Sequence, residues 1–201
     1  MSEIPSEIPP EIPAANIHPI RLINNDDRRR SRLTVFFRNL LTLPHWVFLF
    51  LWGIPVLVVW IIAWFAGLIL GRVPNALHNF LASYQRYSTR VSAFYLGLAS
   101  PFPPFGSGGT YPVDLEIDPA AKQRRWGIFF RGLLGFPAML LNYPLTYLLL
   151  MVWFFGWFAS LILGRMPAPL ENLGIFAMRW AAQTSAYIML LTNRYPNGAE
   201  S

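Results

Sequence analysis

The chain has no cysteine, which excludes disulfides, thiolate zinc sites, iron–sulfur clusters and cysteine nucleophiles. Charge is also scarce: Asp, Glu, Lys and Arg make up 13% of the 201 residues, about half the share in soluble domains, roughly 25%. The three histidines, His18, His45 and His78, all lie in the first half. No pair stands four apart and no acidic cluster accompanies them, so no metal site is expected. There is no Gly-x-Gly-x-x-Gly and no phosphate loop, and no nucleophile–base–orienter set from which to build a hydrolase. Neither Leu33–Leu70 nor Trp126–Leu163 contains an Asp or Glu, which argues against the acidic relays of ion-coupled transport.

Grease, aromatics and arginine are abundant. Hydrophobic residues make up 54% of the chain and aromatics 16%, and the formal net charge is +6. Every base except Lys122 is an arginine. A basic chain can bind nucleic acid, but here the arginines flank apolar segments, which suits anionic lipid headgroups better. Met1–Asn16 lacks a basic start and an apolar core, so the first membrane helix is expected to serve as an uncleaved insertion signal.

The sequence repeats itself. Residues 18–103 align with 111–196 without a gap at an offset of 93, and 28 of the 86 positions are identical. Phe36-Phe37-Arg38 falls on Phe129-Phe130-Arg131, Trp64-Phe65-Ala66 on Trp157-Phe158-Ala159, and Leu68–Arg72 on Leu161–Arg165. Such a self-match marks a tandem duplication. The expected organisation is a disordered Pro/Glu-rich tail over 1–17, membrane repeat one over 18–105, a linker over 106–110 and membrane repeat two over 111–197. The tail repeats Glu-Ile-Pro and has too much proline for a helix and too little apolar mass for a core.

Each repeat opens with a short extended run, His18–Ile23 or Tyr111–Ile117; the second alternates apolar and charged residues as a half-buried strand does. The 38-residue apolar bodies follow. One helix of that length measures about 57 Å against roughly 30 Å of hydrocarbon, so a single straight span is excluded. Three arrangements remain: an interfacial helix leading into one span, a hairpin of short spans broken at Gly53-Ile54-Pro55 and near Pro144, or a span paired with a second over Ala76–Ala99. An even number of crossings, which the last two arrangements give, keeps Arg28–Arg38 and Lys122–Arg131 on one side, as the positive-inside bias requires; the hairpin keeps Arg72, Arg86, Arg90, Arg165 and Arg179 there as well, and this favours it. Gly71 and Gly164 then read as C-caps, with Pro74 and Pro167 blocking continuation. The segment after Pro74 is amphipathic, with Leu77, Phe80, Leu81, Tyr84, Tyr87, Val91 and Phe94 on one face. The fold expected is thus all-α integral membrane: a tandem parallel duplication, each unit a short transmembrane hairpin plus an amphipathic helix.

The functional candidates are arginines that recur in both halves: Arg38 with Arg131, Arg72 with Arg165, and Arg86 with Arg179. A guanidinium binds phosphate bidentately, so these pairs are expected to contact anionic lipid or to cap helix-end carbonyls. Capping is the leading reading for Arg72 and Arg165. The runs Arg28–Arg32 and Arg124–Arg125 read as topology determinants. Trp60, Trp64, Trp153 and Trp157 read as helix packing or belt anchors.

The landmarks Tyr111-Pro112-Val113, Arg125, Phe130-Arg131, Pro137, Trp157-Phe158-Ala159, Gly164-Arg165-Met166-Pro167, Arg179-Trp180, Ala186-Tyr187 and Asn193-Arg194-Tyr195-Pro196 resemble an uncharacterised bacterial membrane-protein family, the domain of unknown function numbered 4389. Repeat one carries the same marks more loosely, with His18 in place of the Tyr and Tyr87 in place of the Trp. The resemblance implies a multi-pass helical membrane protein and supplies no activity. The function expected is non-enzymatic: an inner-membrane scaffold or accessory subunit with no cofactor. Its expected partners are membrane lipids and another membrane protein or a second copy of the chain, not nucleic acid. The alternative is a small transporter or channel for a lipid-like or anionic substrate, which would enclose an Arg-lined cavity between the repeats.

Overall fold

The computed structural model describes residues 18–27 and 30–198; the tail expected over 1–17 lies outside them. The elements are β1 (Ile20–Asn24), α1 (Arg32–Leu70), α2 (Asn75–Leu96), β2 (Val113–Ile117), α3 (Arg125–Phe129), α4 (Arg131–Leu163) and α5 (Ala168–Ile188).

α1 is one helix of 39 residues that runs through Pro44 and Pro55, and α4 one of 33 residues that runs through Pro137 and Pro144. The hairpin expected at Gly53-Ile54-Pro55 and Pro144 is therefore wrong. An internal proline deletes one backbone bond, whereas a hairpin turn in apolar surroundings would strand several backbone groups with no water to satisfy them. Near these prolines the Thr42 and Thr146 hydroxyls donate back to the Arg38 and Asn142 carbonyls, each at 2.7 Å. Both long helices end as expected, on Gly71 and Gly164 at φ 67° and 68°, each amide bonding back to residue 67 or 160 at 2.9 Å.

The fold is not purely helical. β1 and β2, one from each repeat, pair antiparallel with Leu22 opposite Leu115. Those two residues are equivalents under the offset of 93, so the register is centred on a pseudo-two-fold axis. Other contacts come in exchanged pairs about the same axis. The Asn25 amide donates to the Pro112 carbonyl (2.8 Å) and that of Asp118 to Pro19 (3.0 Å). The Arg30 amide donates to Gly164 and that of Gln123 to Gly71, both at 2.9 Å. The Trp64 indole donates to the Ile128 carbonyl (3.2 Å) and that of Trp157 to Val35 (3.0 Å).

These bonds join the start of α1 to the end of α4, and the end of α1 to the start of α4. The long helices therefore run antiparallel, correcting the parallel arrangement expected from the tandem order. The extended run that opens each copy pairs with its twin across the axis, and that pairing fixes the direction of the helix that follows. α2 and α5 form a layer between the long helices and the sheet: α2 packs on α1 and β2, α5 on α4 and β1. The apolar sheet face (Ile20, Leu22, Val113, Leu115) shares one core with Leu81, Leu98, Val152, Met166 and Ile175.

α1 and α4 are long and apolar enough to cross a membrane, and only 17% of the most apolar stretch of each is buried. A core helix of a soluble protein would be mostly buried. In α1 the buried residues form one narrow stripe, Val35, Arg38, Thr42, His45, Leu49, Val56, Ala63 and Gly67, at the three- and four-residue spacing of a single packed seam.

Candidate lipid-contact surface

The six candidate arginines divide into three pairs with different surroundings. Arg38 and Arg131 are buried. The Arg38 guanidinium carbon lies 5.2 Å from the Phe94 ring centre and that of Arg131 lies 4.2 Å from the Tyr187 ring centre, the cation–π geometry. Arg131 also donates to the Thr192 carbonyl (2.8 Å) and to the Gln123 side-chain oxygen. The counterpart of Gln123 in repeat one is Arg30, which accepts nothing, and Nε of Arg38 has no partner among the described residues. This pair clamps the chain that leaves α2 and α5. It does not face a headgroup.

Arg86 is half-buried and donates to the Leu115 carbonyl at 3.2 Å, tying α2 to the sheet. Arg179 is half-buried at the equivalent place on α5.

Arg72 and Arg165 are exposed. Neither caps its own helix. The α1 carbonyl of Ile69 is capped by Arg125 (3.0 Å) and the α4 carbonyl of Ile162 by Arg32 (3.2 Å), each from the other repeat. Arg72 instead stands opposite Lys122 in an antiparallel bridge, and both side chains are exposed. Like charges placed directly opposite repel, and neither makes an ion pair among the described residues. Arg124 and Arg125, also exposed, complete this basic corner. The two-fold places a second corner, with Arg165 and Arg32, at the far end of the long helices.

Sequence reasoning passed over Arg30, which it grouped with the exposed run Arg28–Arg32. Its side chain is fully buried and pairs with Asp26 at 2.5 Å. The signal was present as an i,i+4 Asp–Arg spacing just before a helix. Glu171, acidic next to an apolar body, is buried and accepts a bond from Asn24 at 2.8 Å. His45 is buried, with Nδ1 2.6 Å from the Tyr87 hydroxyl and its ring against Phe102 and Phe105. Among the described residues no group of three or more metal-ligating side chains gathers.

His18 opens β1. The Ile20 amide donates to its Nδ1 at 3.1 Å, and burial lowers its pKa below the ordinary value. The unfolded chain therefore takes the proton first as pH falls through about 6.5. Stability from this site is full above that pH and declines below it. The expected result is an unfolding midpoint in denaturant that falls between pH 7 and pH 5 by less in His18→Gln than in the native chain.

Two cavities of about 410 and 400 Å³ lie between the repeats, related by the same two-fold. Gly53, Leu57, Met139 and Ile188 line the first; their equivalents Thr146, Leu150, Trp46 and Tyr95 line the second. Neither contains an arginine; a third cavity of about 480 Å³, between Trp60 and Trp64 of α1 and Met139 and Ile188 of repeat two, has Arg131 on its wall.

Fold and surface together define a duplicated helical protein with pseudo-two-fold symmetry, two exposed apolar helices and basic corners at their ends. The chain belongs to the family described as a domain of unknown function (DUF4389), whose model matches it twice, over residues 32–107 and 125–200. The two matches stand 93 residues apart, the offset of the internal repeat. No curated protein and no solved structure matches the chain.

Proposed function

We propose that this is a membrane-resident, non-catalytic protein. It acts as a scaffold or accessory subunit that holds anionic phospholipid at its two basic corners and associates with another membrane protein through its apolar helices. The observation that carries this reading is the bridge that sets Arg72 against Lys122, with no acid paired to either among the described residues. A phosphate between the two side chains would relieve that repulsion and take a charge-assisted bond from each. Arg124 and Arg125 add to the local positive potential. The transporter reading needs an Arg-lined path between the repeats; two of the cavities between them carry no arginine, and a third carries Arg131 alone, whose guanidinium is already bonded to the Thr192 carbonyl and the Gln123 side chain.

Each basic side chain near an anionic surface is worth about 1 kcal/mol. Replacing Arg72 and Lys122 together with Gln is therefore expected to weaken phosphatidylglycerol binding to the detergent-solubilised protein about thirtyfold. The thermal midpoint should not fall, because both side chains are exposed and the substitution removes their repulsion. Titration followed by intact-mass spectrometry reads this directly. Unaltered binding would leave the corners as topology determinants with no ligand.

A further inference from the structure

Building on that membrane residence, we infer that the protein lies in a single leaflet, with α1 and α4 in the plane of the membrane and the sheet facing water, rather than crossing the bilayer.

The first argument is the position of the axis. A two-fold that carries a helix onto an antiparallel partner beside it must run perpendicular to both. This one passes between Leu22 and Leu115 at the centre of the sheet, so the sheet sits above the mid-length of α1 and α4, not at one end. Were the long helices to cross a bilayer, the sheet would lie at its midplane. Arg21, Glu116 and Asp118, whose side chains are 27%, 53% and 45% exposed, would then face lipid, where even paired charges are disfavoured.

Length gives the second argument. α1 has 39 residues, about 58 Å, and its exposed apolar side chains run its full length, from Leu33 at 70% to Leu70 at 58%. Fitting that length into roughly 30 Å of hydrocarbon needs a tilt of about 60°, beyond the roughly 40° limit seen for spanning helices. Laid flat, a helix about 10–12 Å across fits within one leaflet, about 15 Å deep.

The charges agree. With the two-fold along the membrane normal, Arg72 and Arg125 lie at the same depth as their equivalents Arg165 and Arg32, where one anionic headgroup layer meets both corners. A crossing orientation would put the two corners in opposite compartments, against the positive-inside bias. The apolar layer also extends sideways: Phe102 and Phe105, from the segment between the repeats, are 46% and 56% exposed beside α1, where they touch His45.

The absence of cysteine makes the test direct. Arg72→Cys and Arg165→Cys are each expressed in the full chain and treated with a membrane-impermeant maleimide in sealed vesicles of either orientation. The in-plane seat predicts that both label from the same face, with the chain retained in the membrane pellet after alkaline wash. Labelling of the two positions from opposite faces overturns it and leaves membrane residence standing. A position that labels only after detergent lies in hydrocarbon and overturns it too. Loss of the chain from the washed pellet, with a soluble dimer recovered, would mean that a second copy covers the apolar layer; that result removes the membrane reading itself.

Discussion

Replacing Arg30 with alanine is expected to destabilise the fold by about 3–5 kcal/mol, the cost of breaking a buried ion pair from one side. The side chains of Arg30 and Asp26 are 0% and 2% exposed, so water cannot replace what is lost. Arg30 also donates to the Gly97 carbonyl (3.0 Å), the Leu98 carbonyl (3.2 Å) and the Ser100 hydroxyl (2.7 Å). Truncation would leave a buried carboxylate and two carbonyls without these donors. Asp26 in turn accepts from the Ser100 amide at 3.2 Å, so this pair ties the chain leaving α2 to the segment that opens α1. Equilibrium denaturation of the purified protein measures the loss. The double variant Arg30→Met with Asp26→Leu should recover much of it, because removing both charges also removes the desolvation burden. A loss below about 1 kcal/mol in the single variant would mean that the pair is solvated and the packing of this end is wrong.

Much of the local structure was legible in the sequence, because it depends on neighbours along the chain. Gly71 and Gly164 end their helices because only glycine takes φ near 67° without strain, and the following prolines stop any extension. The alternation in Val113–Ile117 places its apolar residues on the core face, and the amphipathic stripe of α2 lies against α1 as its spacing required. Partnership was not legible. A period of two says which face of a strand is buried and nothing about the strand it pairs with, so the pairing of the two opening runs with each other, and the antiparallel helices it dictates, had no trace. The prolines misled for a related reason. They break helices where water can take up the freed groups, and at Pro44, Pro55, Pro137 and Pro144 the surroundings are apolar.

The candidate surface was legible only in part. Recurrence at the offset of 93 selected arginines that matter to both halves, but recurrence is shared by packing and by ligand contact. Arg38 and Arg131 recur because each half needs a cation over an aromatic ring at the end of its second helix. Arg72 and Arg165 recur on the surface. What separates the two roles is burial, and Arg38, inside an apolar helix, would have been the better candidate for packing on that ground alone. The corner itself depends on Lys122, which came beside Arg72 only when the repeats folded together. Lys122 aligns with Arg29, which lies outside the described residues.

The second large effect is expected at Arg90, where alanine should cost about 3 kcal/mol, the lower end of the range for a buried pair, because Asp114 is 24% exposed and water can partly rescue it. The guanidinium grips Asp114 with both edges of its fork, Nε at 3.0 Å and Nη2 at 2.7 Å, and donates to the Gly108 and Gly109 carbonyls at 2.7 and 2.9 Å. One side chain thus joins α2, β2 and the segment between the repeats. Its equivalent, Gln183, performs the same task at the C-terminal end, accepting from the Asn197 and Gly198 amides at 3.2 and 3.0 Å. The two halves use opposite polarity at one position: a donor where carbonyls must be held, and an acceptor where amides must. Arg90→Lys should recover less than half of the loss, since a point charge cannot reach the carboxylate and two carbonyls together. Limited proteolysis gives an independent reading. Cleavage near Gly106–Gly109 should quicken in Arg90→Ala and stay slow in Arg86→Ala, whose single bond to Leu115 holds the sheet and not the linker. Equal protection of the linker in both variants would show that other contacts, such as the 2.7 Å bond from the Tyr111 hydroxyl to the Pro101 carbonyl, are sufficient to pin it.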